Sequence, residues 1–233
     1  MVRQSRGRLY CFSPPVMLAT FIIETFSFIY VFVRYKLTTF TRLATATLGL
    51  LAIFQLAEYN VCGGHGVSAA TWSRIGFMAI TLLPPLGIHL IQTISGRNIR
   101  WVVGLSYLSG LTFAGLFGLS QSSFNSHICA GNYAIFQLAN NLGGAYFAYY
   151  YTLLFLGISL GLYFSLSAKQ RVREGLILQV FGYLCFLLPT GVTNAVNPQT
   201  ISGIPSIMCG YAVIYALILT LGIVPGLAST KKT

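Results

Sequence analysis

Seven long apolar runs follow one another along the chain, separated by short polar breaks. A helix that crosses the hydrocarbon core of a bilayer needs about 20 mostly apolar residues. The pattern predicts spans at Ser13–Tyr35, Leu43–Val61, Thr71–Ile94, Trp101–Ser120, Ala145–Leu166, Gly175–Ala195 and Ile204–Leu227. A membrane β-barrel would instead alternate apolar and polar residues in shorter segments. We therefore expect an all-α fold: one seven-helix membrane domain over residues 13–227, between basic tails at 1–12 and 228–233.

Composition supports the same assignment. The chain has 233 residues, of which 55% are hydrophobic and 7% are charged, and its mean hydropathy is +0.75. A soluble domain carries about 25% charged residues, so these values exclude a soluble enzyme, a disordered chain and a coiled coil. The first span is too long for an ordinary cleavable signal peptide, and we expect it to be retained.

The basic residues predict the orientation of the bundle, because Lys and Arg in short loops stay in the cytoplasm. Ten of the fourteen fall on one side, in loops 1, 3 and 5 and the C-terminal tail, and four fall on the other, namely Arg74 and the N-terminal Arg3, Arg6 and Arg8. We expect the N-terminus outside and the C-terminus inside. The net charge of +11 then reflects topology, with anionic lipid headgroups as partners. Nucleic-acid binding is not expected, because the basic residues are divided among short loops.

Ionisable groups inside a bilayer are costly enough to be candidates for function. Glu24 lies near the middle of span 1, with no basic residue at its depth. It should therefore be protonated, or hydrogen-bonded to Gln55 or Tyr215 at a comparable depth. A ligand-binding role and a structural role both remain open for Glu24.

Two more intramembrane sites are candidates. Glu58 ends span 2 and Arg74 begins span 3, so the short loop between them allows an ion pair. That pair would be a structural tie, or else Glu58 is a proton-binding or ligand-binding carboxylate. His89 lies late in span 3, where a satisfied structural histidine is the simpler interpretation and ligand binding is the alternative.

The predicted outer loops contain a cluster of cysteine and histidine. Cys62 and His65 lie in loop 2, and His127 and Cys129 lie in loop 4. A Cys62–Cys129 disulfide would fit an oxidising exterior. A zinc site made by all four residues is an alternative, and so is no bond at all.

Packing of the spans can also be predicted. Span 4 carries the stripe Ser106, Gly110, Ala114 and Gly118, and span 5 carries Gly157, Gly161 and Ser165; such small residues let helices approach closely. Prolines at 84, 85, 189 and 225 should bend their helices. The aromatic run Tyr146, Phe147, Tyr149, Tyr150 and Tyr151 is interpreted as an interfacial belt.

Several chemistries can be argued against. No span contains the Lys that a retinal Schiff base needs, so a covalent retinal cofactor is not expected, and no other cofactor is indicated. The sequence has no Asp, no Walker loop and no dinucleotide fingerprint. No nucleophile, base and orienting group can be assembled, and we do not expect an enzyme.

Two resemblances are carried by particular residues. Phe54-Gln55-Leu56-Ala57-Glu58-Tyr59, Leu82-Leu83-Pro84-Pro85 and Ser95-Gly96-Arg97 resemble the seven-helix sensor region of bacterial histidine kinases, although no kinase or cyclase output domain follows in this sequence. Cys11-Phe12-Ser13, with Gln55 and Glu58, resembles an uncharacterised bacterial membrane family that opens with Met-Cys-Phe-Ser. The resemblances imply an integral protein of the bacterial inner membrane and transfer no catalytic residue.

These observations give three hypotheses of function. The first is a heptahelical sensor or ligand-binding module that acts through a separate membrane-protein partner or a second copy. The second is a non-catalytic subunit of a larger membrane complex. The third is transport of a proton or small solute, which depends on Glu24 and Glu58.

The orientation can be tested with reporter fusions. A reporter at Thr233 should be cytoplasmic and one in the loop at residues 197–202 should be external, because ten basic residues outnumber four. The reverse pattern would show that the basic N-terminal tail controls insertion.

Overall fold

The computed structural model describes residues 14–63, 68–120, 124–130, 133–138 and 142–231, and gives only the backbone for 14, 63, 125–130, 133–137 and 202. The predicted N-terminal tail and the last two residues lie outside this part of the chain. The helices are α1 (Pro14–Arg34), α2 (Thr39–Gly63), α3 (Ala69–Thr81), α4 (Leu83–Ser95), α5 (Arg100–Leu119), α6 (Leu142–Leu166), α7 (Gln170–Val196), α8 (Ile204–Ile218) and α9 (Val224–Leu227). Strands β1 (Phe124–Ala130) and β2 (Tyr133–Leu138) lie between α5 and α6.

Seven of the helical segments are long and apolar enough to cross a membrane, which confirms the predicted bundle. The third span consists of α3 and α4, and the seventh consists of α8, a π-helical turn at Leu219–Ile223 and α9. Helices α2 and α7 begin earlier than predicted, because their first turns include basic residues of the loops. The chain is thus an integral membrane protein.

The packing of the bundle has a centre and a periphery. Helix α4 contacts α2, α5, α6 and α7 and lies at the centre. Helix α1 packs mainly against α2, with a smaller contact to α8. We call the end with the β1–β2 hairpin the hairpin side, and the end with Arg34, Arg97 and Lys169 the basic side.

The third span breaks at Leu82, where the prolines were predicted to bend it. Pro85 has no N–H, so the Thr81 carbonyl loses its helical donor. The Tyr149 hydroxyl donates to this carbonyl at 2.7 Å, and the Thr81 hydroxyl donates to Tyr146 at 3.2 Å. The broken helix is therefore held by side chains from α6. Helix α7 continues through Pro189, and Pro225 follows the π-helical turn.

The tyrosines at the start of α6 correct the prediction of an interfacial belt. Tyr146 and Tyr150 are buried in the bundle. The Tyr146 ring packs edge-on against Phe117 and tilted against Phe77, with centroids 5.1 and 5.7 Å away. Aromatic pairs at these distances add to stability beyond the area that they bury. Part of the aromatic run is thus core.

The antiparallel hairpin was not predicted. Its register pairs His127 with Phe136 and Cys129 with Ala134. The Phe124 ring packs on Phe77 at 5.0 Å, which joins the hairpin to the core. The hairpin lies in the loop between the fourth and fifth spans, so it leaves the seven predicted spans unchanged.

The stripes of small residues pack within the chain, which is the simpler of the two outcomes. A Cβ at Gly110 would lie 2.9 Å from Pro85 and 3.0 Å from the Tyr149 hydroxyl, and one at Gly161 would lie 2.7 Å from Val180. The stripe on α5 therefore meets the break in span 3, and the stripe on α6 meets α7.

The basic side is closed by contacts with the C-terminal segment. Lys231 N–H donates to the Arg34 carbonyl at 2.9 Å, and Lys36 N–H donates to the Ser229 carbonyl at 3.0 Å. Arg171 donates to the Gly226 carbonyl. The end of the seventh span is thereby joined to the loop after α1 and to the start of α7.

Gly182 tests the close approach of α7 and α8. A Cβ at Gly182 would overlap the Tyr215 ring, whereas nothing lies within 4 Å of a Cβ at Gly191 in the same helix. Overpacking costs about 1–3 kcal/mol, more than the ~1 kcal/mol of helix propensity that alanine gains over glycine. Gly182→Ala should lower the melting temperature of the purified protein, and Gly191→Ala should keep or raise it. Equal melting temperatures would contradict the contact.

Candidate functional site

Glu24 is the most costly residue in the bundle. Its side chain is fully buried in the middle of α1, and neither carboxyl oxygen has a hydrogen-bond partner among the described residues. Buried polar groups in folded proteins are normally paired with protein or with water. Glu24 is therefore an exception that needs a physical reason.

Glu58 and Gln55 lie one turn apart on α2 and face the same way. Both side chains are 1% exposed. Glu58 is hydrogen-bonded to Ser206 of α8, and its Oε1 atom has no partner among the described residues. The Nε2 group of Gln55 is also buried without one.

The two carboxyl groups form a pair across the interface of α1 and α2. Glu24 interacts electrostatically with Glu58, and the buried Cys209 thiol of α8 interacts with both. We call Glu24 and Glu58 the carboxyl pair. Three helices thus bring two acids and a thiol together, while no described Lys or Arg side chain forms an ion pair with either acid.

Arg74 does not neutralise Glu58, and the expected ion pair between these two described side chains is corrected. Its Nε atom donates to the Phe117 carbonyl at 3.1 Å, and Nη2 donates to the Gly118 carbonyl. The last carbonyls of a helix lack intrahelical donors and carry partial negative charge. Arg74 therefore caps α5, which leaves the charge of Glu58 uncompensated.

The hydrogen bonds expected for Glu24 are also corrected. The Tyr215 hydroxyl accepts a hydrogen bond from Gln179 Nε2 at 2.7 Å, and Glu24 is bonded neither to Tyr215 nor to Gln55. Gln179 is fully buried, and its Oε1 atom has no partner among the described residues. Gln179 and Tyr215 thus form a second polar group deeper in the bundle.

A small cavity of about 30 Å³ lies beside Tyr215 of the second polar group. Residues of α2, α6, α7 and α8 line it, among them Thr47, Leu51, Tyr150, Tyr183, Cys209 and Tyr215. Thr47, Leu51, Gln55 and Glu58 follow one another on one face of α2, with the spacing of successive helical turns. Gln55 and Glu58 therefore lie one and two turns beyond the cavity, toward the hairpin side.

His89 has a structural environment. Its Nδ1 atom lies 3.2 Å from the Tyr107 hydroxyl, and the two rings meet edge to face. The side chain is partly exposed near the basic side and is remote in sequence and depth from the carboxyl pair. A partnered histidine that joins α4 to α5 accounts for this geometry.

The cluster of cysteine and histidine falls largely outside the described side chains. His65 is outside the described residues, and only the backbone of His127 and Cys129 is described. Cys185 and Cys209 are free thiols, and Cys62 is not among them. No group of three His, Cys or Glu side chains in the described part of the chain has the geometry of a metal site.

Sequence reasoning missed Gln179, Ser206 and Cys209. Gln179 carries a signal, since it is a lone amide within the apolar run of α7. Ser206 and Cys209 carry none, because small polar residues are common in membrane helices. Their contribution depends on which face of α8 meets α1 and α2.

The chain was also compared with known proteins. It matches no protein-family model, no curated protein and no solved structure. The argument for function therefore depends on the geometry of the carboxyl pair and its surroundings.

Proposed function

We propose that this chain is a heptahelical membrane sensor that binds protons at the carboxyl pair and passes the signal to a separate partner. One observation carries the proposal: two acids on neighbouring helices are buried inside the bundle, and no cation among the described residues forms an ion pair with either of them. The resemblance of the sequence to sensor regions of histidine kinases agrees with this function.

Proton binding follows from the cost of charge in hydrocarbon. An ionised acid at the centre of a membrane helix costs about 3 kcal/mol even on the mildest scale. A second ionised acid beside it adds repulsion, because like charges in contact disfavour ionisation. The titratable groups that interact with Glu24 are Glu58 of α2 and Cys209 of α8, and all of them are acids. We therefore expect the pair to hold a proton and to release it only when the pH rises.

In this proposal, helix α1 transmits the change in charge to the partner. It packs mainly on α2 and presents apolar side chains such as Phe26 and Val33 outward. Loss of the shared proton places two negative charges between α1 and α2 and favours their separation. A partner that contacts the outer face of α1 would detect this change.

The proposal includes the expected setting. The N-terminus lies outside and the basic side faces the cytoplasm and its anionic lipid headgroups, in a bacterial inner membrane. The carboxyl pair, which is closer to the hairpin side, then exchanges protons with the exterior.

The carboxyl variants test proton binding directly. Infrared difference spectra between acidic and alkaline pH should show the carbonyl band of a buried carboxylic acid, and Glu24→Gln or Glu58→Gln should remove or diminish it. Glutamine keeps the shape of the acid but cannot ionise.

Glu174 is the matched control, since it is the third acid of the chain and is exposed at the start of α7. Glu174→Gln should leave the buried-acid band in place. If the spectra of the wild type and both pair variants are identical, the pair does not titrate and the proposed function is wrong.

A Cys62–Cys129 bridge belongs to the same proposal, because it would fix the hairpin above α2. The paired backbone of β1 and β2 already holds Cys129 in the hairpin. Closing a loop of this length stabilises a fold by about 4 kcal/mol on chain-entropy grounds. Peptide mapping without reduction should find Cys62 and Cys129 linked; free alkylation of both in unreduced protein would exclude the bridge.

A further inference from the structure

We propose that protons pass through this bundle along a polar thread that begins at the carboxyl pair, which makes the protein a proton conductor. The thread consists of Glu58, Gln55, Glu24, Cys209, Tyr215, Gln179 and Thr220. This inference rests on the proposed function, because the carboxyl pair is its entrance.

The first argument is the distribution of buried polar atoms without a partner. In the described part of the chain such atoms occur on seven residues, of which Thr25 and Trp72 lie outside the thread and Glu24, Gln55, Glu58, Gln179 and Thr220 belong to it. These five lie on α1, α2 and α7 and on the π-helical turn that continues α8, which pack on one another or on α8. Buried polar groups that the protein leaves unpaired are normally satisfied by internal water. Five of them on helices that pack together are sites for internal water molecules.

The cavity supplies the room for this water. Its volume of about 30 Å³ fits about two water molecules and is too small for an organic ligand. Tyr150, Tyr183, Tyr215 and Cys209 are among the residues that line it. Water in the cavity would therefore lie between Cys209, whose thiol is near the two acids, and Tyr215, which binds Gln179.

The thread covers most of the membrane. From Ser206, which is bonded to Glu58, to Thr220 the chain rises about 21 Å at ~1.5 Å per residue, compared with a hydrocarbon core of about 30 Å. Thr220 lies in the π-helical turn, a feature that is frequent at functional sites. The remaining third lies on the basic side.

The transfer step changes only O–H bonds. A proton that arrives at the carboxyl pair displaces the proton already held there, which moves to water in the cavity. That water passes a proton to the Tyr215 hydroxyl, which releases its own proton to water toward the basic side, while Gln179 orients the hydroxyl through its N–H group and keeps its own protons. No electrons move, and the movement of another ion across the membrane balances the charge that the proton carries.

Proteoliposomes with a trapped pH dye test the inference. With potassium and valinomycin to clamp the voltage, wild-type vesicles should acidify or alkalinise faster than protein-free vesicles. Glu24→Gln should reduce the rate to that of protein-free vesicles, and Glu174→Gln should not. Tyr215→Phe should also reduce it, because this change removes the hydroxyl and keeps the ring that packs on Gly182.

The results distinguish proton conduction from proton sensing. Wild-type flux equal to that of protein-free vesicles, in protein whose infrared spectrum still shows a titrating buried acid, overturns conduction and leaves proton sensing intact. Wild-type flux that survives both Glu24→Gln and Glu58→Gln also overturns the inference, because the protons then follow another path. Flux lost in the pair variants and in Tyr215→Phe supports the thread.

Discussion

Hydrocarbon offers no hydrogen bonds, and this constraint governs every polar group inside the bundle. At two places in the bundle, side chains supply the hydrogen bonds that helix carbonyls lack. Tyr149 replaces the donor that Pro85 removes from span 3, and Arg74 covers the last carbonyls of α5. Glu24 and Glu58 are the contrast, since the same structure that satisfies a broken helix leaves two acids uncompensated. We infer function at the place where the constraint is relaxed.

We propose that the position of the carboxyl pair couples proton binding to the position of helix α1. Helix α4 is surrounded by other helices, whereas α1 lies at the edge of the bundle on α2 and α8. A change of charge at the centre of the molecule would be resisted by many contacts. The same change between α1 and α2 acts on a helix whose main neighbours are α2 and α8, although its packing on α2 is extensive.

The sequence was sufficient for the seven spans and for an acid buried within the first of them at Glu24, because the hydropathy of a run is a local property. It was insufficient for partners. Arg74 follows Glu58 closely in the chain, yet helix rotation directs it to α5; Tyr146 and Tyr150 look like interfacial residues, yet they enter the core. The burial of Glu24 and Glu58 depends on the faces that α1 and α2 present to each other. The hydropathy of single runs does not contain that information.

Size and donor chemistry together select the ligand. A cavity of about 30 Å³ excludes an organic molecule, and no described cluster of His, Cys and Glu has the geometry to hold a metal. Water fits the space, and Tyr215, which accepts a hydrogen bond from Gln179, is one of the residues that line it. A proton needs no volume beyond that of the water that carries it, and it is attracted to the two acids that no other cation neutralises in the described structure. The two buried acids and the small cavity lower the stability of the bundle, and they are the features that the proposed proton pathway requires.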